Sequence, residues 1–192
     1  FIFDLTTPTT PRIAGQFGDV DGYTDPHSFV RLPNGNVLAT FQMRHDSAVM
    51  GAGGIAELSP LGRPLRTSAA DPAGVEPNLR VYSAAPVPSL DRVVSTTSDM
   101  EVVYPGSNQV QIWRLSDLGV LHTVTLPNGP AGDEGMDTAE PRVLDDGKTV
   151  LVSTFNCGLY LMEGLEGDAP SGRLVSTFPR KKDTSCAIPV VA

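Results

Sequence analysis

The chain has 192 residues, with 14 Lys and Arg against 22 Asp and Glu, a formal charge of −8, and 40% hydrophobic residues. That composition builds a core rather than a disordered chain, and its acidic balance excludes the basic stripes that nucleic-acid binders need. Apolar runs such as Ile188 to Ala192 are too short for a membrane span, and the sequence opens without the basic-then-apolar pattern of a signal peptide. Nineteen Gly and 17 Pro without low complexity predict many turns and little helix.

Taken in order, short runs of Val, Ile, Leu, Thr and aromatics bounded by turn residues read as strands. The chain opens on Phe1-Ile2-Phe3-Asp4-Leu5, as if in the middle of a strand, and a second strand runs from Pro11 to Phe17. Then come His27 to Leu32, Asn36 to Phe41, Ile55 to Ser59 and Pro64 to Thr67. A second group holds Arg80 to Pro86, Arg92 to Thr97, Ile112 to Ser116 and Val120 to Leu126. A third holds Glu140 to Leu144, Thr149 to Phe155, Leu159 to Glu163 and Arg173 to Phe178, and a last strand is expected at Cys186 to Val191. Tight turns precede the second strand of each group, at Pro33-Asn34-Gly35, Ser89-Leu90-Asp91 and Asp145-Asp146-Gly147.

These groups repeat. Thr40, Thr96 and Thr154 stand 56 and 58 residues apart, and Ile55-Ala56-Glu57-Leu58-Ser59 matches Ile112-Trp113-Arg114-Leu115-Ser116 at an offset of 57. Four antiparallel strands in about 55 residues is the pattern of a β-propeller blade. A β-sandwich is the alternative, but it has no reason to repeat one strand pattern at near-constant offset. The expected fold is therefore all-β, a propeller of four-stranded antiparallel blades. Residues 1–17 form the end of a blade, 27–67, 80–126 and 140–178 whole blades, and 186–192 the first strand of the next. That is about 3.75 blades, and since propellers close with at least about four, the expectation is a portion of a larger ring.

In a propeller the first strand of each blade lines the central channel, and ligands gather at its mouth. The loops leading there carry many acidic groups, in Gly18 to Pro26 and in Pro127 to Thr138 with Asp133, Glu134 and Asp137. The loops joining second and third strands are expected at Gln42 to Gly53 and Ser98 to Gln109. Such an acidic rim suits a cation or a cationic partner, or is simply a solvated surface. Asp19-Val20-Asp21-Gly22 is similar to the start of a calcium loop but lacks its distal Glu.

Three histidines are present. His122 falls on an outer strand and His45 in a long loop, while His27 opens a channel strand after Asp25-Pro26. At that place an imidazole can bind a metal or move protons, or be hydrogen-bonded and structural. The other channel-strand starts offer Tyr82 or Ser83, Glu140, and Ser185 or Cys186. Glu140 is a candidate catalytic, proton-handling group, with Arg142 or a metal as its partner. Cys157 and Cys186 are the only cysteines. As a disulfide they would favour a periplasmic or secreted setting, and as two buried thiols they would not. No C-x-x-C, G-x-S-x-G, P-loop or dinucleotide fingerprint occurs.

The segment Asp25-Pro26-His27-Ser28-Phe29-Val30-Arg31-Leu32-Pro33-Asn34-Gly35-Asn36-Val37 resembles the selenium-binding-protein, methanethiol oxidase-like propellers. Gly53-Gly54-Ile55, Val94-Ser95-Thr96-Thr97, Val110-Gln111-Ile112-Trp113, His122-Thr123-Val124-Thr125-Leu126, Ala139-Glu140-Pro141-Arg142-Val143-Leu144 and Phe155-Asn156-Cys157-Gly158 continue the likeness collinearly. The resemblance implies a seven-bladed propeller, oxidation of small thiols such as methanethiol, copper held by channel histidines, and selenium bound through cysteine. His27 matches the first histidine of the family's His-x-x-His segment, whereas the second position is Val30. The selenium-binding cysteine motif and the remaining metal ligands fall outside this chain. The resulting expectation is a channel site with copper or another transition metal on His27 and Glu140 behind it. The rival is a non-catalytic scaffold that binds a protein or small ligand at its acidic loop face. A lactonase-like or quinoprotein-like propeller ranks lower, because the channel-strand starts are chemically mixed.

Overall fold

The computed structural model describes residues 1–16, 18–46, 49–75, 79–98 and 107–179. Among them it shows fourteen strands, one turn of 3-10 helix at Pro88–Leu90 and no α-helix. A two-stranded sheet pairs β1 (Ile2–Asp4) with β2 (Arg12–Gly15). The first four-stranded sheet runs in order through β3 (Tyr23–Arg31), β4 (Val37–Asp46), β5 (Val49–Leu58) and β6 (Pro64–Ala69). The second holds β7 (Val81–Val87), β8 (Arg92–Thr97), β9 (Gln109–Arg114) and β10 (Val120–Thr125). The third holds β11 (Thr138–Val143), β12 (Val150–Thr154), β13 (Gly158–Glu163) and β14 (Ser171–Thr177). Every pairing is antiparallel. The architecture is that of propeller blades, and the sheets do not close into a ring. The strand expected at Cys186 to Val191 lies outside the described residues, and so does one partner of any Cys157–Cys186 bridge.

Period-2 alternation between two cores explains why the central strands β8, β9 and β12 are buried almost throughout. Each central strand sends alternate side chains into two different cores. Val93 and Trp113 pack between the first and second sheets with Leu38, Ile55 and Val81. Their neighbours Val94 and Ile112 pack between the second and third sheets with Val150, Val152 and Tyr160. Burial of each such side chain contributes about 1.5–3 kcal/mol, so the sheets adhere through stacked apolar layers. Polar ties fix their relative position. Arg66 donates to the Leu115 carbonyl across the first boundary, and Arg92 to the Leu165 carbonyl across the second, each at 3.0 Å. The far side of the first sheet carries Tyr23, Phe41 and Leu58, beside an apolar cavity of about 490 Å³ that Phe1 and Ile2 also line.

One expected loop is a strand pair instead. Residues 42–46 and 49–53 continue the β4–β5 hairpin, with Met43 opposite Ala52, Arg44 opposite Gly51 and His45 opposite Met50. The run Gly51-Ala52-Gly53-Gly54 has low strand propensity, which hides the strand in the sequence. Packing explains the glycines: a Cβ on Gly53 would lie 2.1 Å from the Phe41 carbonyl oxygen, and one on Gly54 2.4 Å from that of Ser68.

Candidate functional site

The channel-lining strands β3, β7 and β11 each pair with one strand only and pack against one another, β3 on β7 and β7 on β11. Each is interrupted at the same place. The register slips between Pro26 and Phe29, between Val81 and Ala84, and between Thr138 and Pro141. Each slip sets two residues of the inner strand against one of its partner: His27 and Ser28 against Thr40, Tyr82 and Ser83 against Thr96, Ala139 and Glu140 against Ser153. A β-bulge of this kind breaks the ladder and re-aims side chains.

The break leaves a backbone N–H without its ladder partner, and a hydroxyl from the second strand accepts it. Ser28 N–H donates to Thr40 Oγ1 at 2.9 Å, Ser83 N–H to Thr96 Oγ1 at 3.2 Å, and Glu140 N–H to Ser153 Oγ at 3.4 Å. The same hydroxyls reach across to the next blade. Thr40 donates to the Tyr82 carbonyl at 2.8 Å, and Thr96 to the Ala139 carbonyl. The structural counterpart of Thr40 and Thr96 is thus Ser153, not Thr154, which instead donates to the Glu134 carbonyl. The second match slips as well, since Thr40 pairs with Ile55 but Thr96 with Val110. Ile112 therefore lies two positions further along its strand than Ile55, on the equivalent side.

The bulges bring their side chains into one row. The His27 ring stacks on Tyr82 at 3.7 Å between centroids and 30° between planes. Phe155 meets the Tyr82 ring edge-on at 5.6 Å. Ser83 donates its hydroxyl to Glu140 Oε2 at 2.7 Å and lies 3.5 Å from the Ser28 hydroxyl. His27 and Glu140, the two candidates of the sequence, therefore belong to one cluster, bridged by Tyr82 and Ser83. Ser28 and Phe155 were not singled out by sequence. The offset that links Ser28 to Ser83 and Glu140 is the signal that would have found Ser28. Burial raises the Tyr82 phenol above its ordinary value, and the Glu140 carboxylate adds to the effect, so Tyr82 remains a neutral hydroxyl. Arg142, two residues beyond Glu140, is not its partner; among the described residues Glu140 makes no ion pair.

The fit of a transition metal can be judged from the donors. His27 Nδ1 is buried with no hydrogen-bond partner, which suits one coordination bond. The three histidines do not converge, however: His45 is exposed on β4 and His122 half-buried on the outer strand β10. Among the described residues no group of three or more His, Cys, Asp or Glu side chains is placed to hold a metal ion. Copper held by the described residues alone does not fit.

The acidic loops use their carboxylates internally. Glu134 is 3% exposed and accepts backbone N–H bonds from Gly129, Ala131, Gly132 and Asp133 at 2.6–3.3 Å. Burial alone would raise its pKa, but these donors outweigh burial and hold the carboxyl below its ordinary value. Asp133 accepts from Asn156, Asp19 from the Gly22 N–H, and Asp21 from Thr67. The Asp19-Val20-Asp21-Gly22 segment is thus a hydrogen-bonded turn.

These features define a propeller-type β protein with a bulged channel wall. No known family model matches the chain, and no curated protein matches it. Among solved structures it is similar to a hypothetical selenium-binding protein from Sulfolobus tokodaii, with 18% identity and a TM-score of 0.71 over 92% of this chain and 42% of that one. It is also similar to a protein of unknown function from Bacteroides caccae, with 14% identity and a TM-score of 0.51 over 84% of this chain and 48% of that one. The chain spans less than half of either. At these identities the likeness establishes the fold: the resemblance drawn from the sequence stands as a distant fold relationship. No helix among the described residues is long and apolar enough to cross a membrane.

Proposed function

We propose that this chain forms a sector of a larger ligand-binding propeller, and that a small ligand binds at the bulge row in its channel. One observation carries the reading. Three successive inner strands repeat the same bulge and so bring half-buried His27 and Glu140 together with buried Tyr82 and Ser83 as one contiguous polar and aromatic cluster. The expected acidic loop face is the weaker location, because Glu134 is engaged within its own loop and Asp133 and Asp21 by Asn156 and Thr67 of neighbouring segments. A second reading, metal-dependent oxidation of a small thiol, is favoured by the buried, unpartnered His27 Nδ1. It requires further ligands from outside the described residues.

The test is ligand-observed NMR with a mixed panel of small cations, anions, neutral molecules, thiols and Cu(II), applied to the whole protein and to His27→Ala. Binding that His27→Ala weakens at least tenfold supports the channel site. Binding indifferent to that change, or none, overturns it. Selective retention of Cu(II) by wild type would favour the oxidase reading.

A further inference from the structure

Glu140 is half-buried, yet its carboxylate accepts a single hydroxyl and makes no ion pair among the described residues. A carboxylate withdrawn from water is ordinarily paired or richly hydrogen-bonded. The contrast within this molecule is plain, since Glu134 has four backbone donors and Glu57 accepts from Asn34, Asn36 and Arg66. Next to Glu140 lies Tyr82, on whose ring His27 is stacked. The His27 Nδ1 atom is buried without a partner, and in the Nε2-protonated tautomer it is an acceptor. Among the described residues no Lys or Arg belongs to the row. Its free capacity therefore consists of a carboxylate and aromatic rings, each of which attracts positive charge.

We propose that the bulge row binds a small organic cation, its ammonium head against Glu140 and its flank on the Tyr82 and His27 rings. The proposal rests on the channel reading above and names the ligand class for that site. An ammonium with N–H groups donates to Glu140. A quaternary ammonium, having no N–H, uses the charge and the rings alone.

The experiment titrates the protein with methylammonium and tetramethylammonium, with tert-butanol, acetate and Cu(II) as comparison ligands, by calorimetry and ligand-observed NMR. Both cations are expected to bind, and Glu140→Gln to weaken them at least tenfold. His27→Ala, which removes one ring of the stacked pair, should weaken both cations. Ser83→Ala, which keeps the carboxylate and removes its one donor, should retain or tighten cation binding, so the test survives if Glu140→Gln fails to fold. Cations that bind no better than tert-butanol, or that ignore Glu140→Gln, overturn the proposal. If acetate, tert-butanol or Cu(II) binds in a His27-dependent way while the cations do not, the cation class falls and the channel site stands. If nothing in the set binds, both fall.

Discussion

The hydroxyls of Thr40 and Thr96 each close a bulge in their own blade and hold the inner strand of the next. Replacing Thr96 by the isosteric Val strands the Ser83 N–H and the Ala139 carbonyl in a fully buried place. Each unsatisfied group costs about 1–3 kcal/mol, so Thr96→Val should lower stability by about 2–6 kcal/mol, read by urea denaturation. A change under about 0.5 kcal/mol would mean that the hydroxyl is dispensable. Carboxylates act at the same scale. Asp146 accepts from the Thr149 hydroxyl and from the Thr149 and Lys148 N–H groups, which lower its pKa from 3.8 to about 2. A lowered folded-state pKa gives stability that is present above the unfolded value and lost as pH falls through the folded one. The Asp146 contribution should therefore be complete above pH 3.8 and vanish toward about pH 2. Asp146→Asn should flatten the denaturation midpoint across that window, and an unchanged slope would contradict the assignment. Glu134, also held below its ordinary value, should make Glu134→Gln flatten the profile from about pH 4.5 downward in the same sense.

At the scale of strands, the decisive element is the β4–β5 hairpin. A Cβ on Gly53 would collide with the Phe41 and Gln42 carbonyl oxygens at 2.1 and 2.7 Å, and these are backbone atoms that cannot swing aside. Gly53 N–H also donates to the Leu79 carbonyl at 2.8 Å, which ties the hairpin to the segment leading into β7. Gly53→Ala should cost about 1–3 kcal/mol by thermal or urea unfolding, whereas Gly35→Ala, with open space around its Cβ, tests only the strain of its positive φ of 86°. Equal effects would show that close packing at Gly53 is not the cause. Most strands were legible in the sequence because runs such as Val93-Val94 and Val150 to Val152 alternate between two cores. The Gly51 to Gly54 strand was not, because packing rather than propensity selects its residues. The bulges were hidden for another reason. They are a matter of register between strands, and a single sequence shows composition and spacing but not which residues face each other. Hence the repeat placed Thr154 where Ser153 stands, and missed Ser28. It did set His27 and Glu140 on inner strands, because each follows a turn-rich segment, although β3 begins at Tyr23, four residues before His27.

For the molecule as a whole, the proposed ligand site depends on three blades holding their bulges in line. The stacked cores between sheets set the blade spacing, and Thr40 and Thr96 lock one inner strand to the next. The result is that residues 27, 82 and 140, far apart in the chain, touch through one aromatic and one hydroxyl bridge. The most direct test is 19F NMR of protein labelled with 3-fluorotyrosine. The four tyrosines give separate resonances, and that of Tyr82 is identified by its loss in Tyr82→Phe. The account predicts that His27→Ala shifts the Tyr82 resonance strongly by removing the stacked ring. It also predicts that a bound small ligand moves this resonance while those of Tyr23 and Tyr160 stay in place. A Tyr82 resonance insensitive both to His27→Ala and to every ligand of the panel would contradict it.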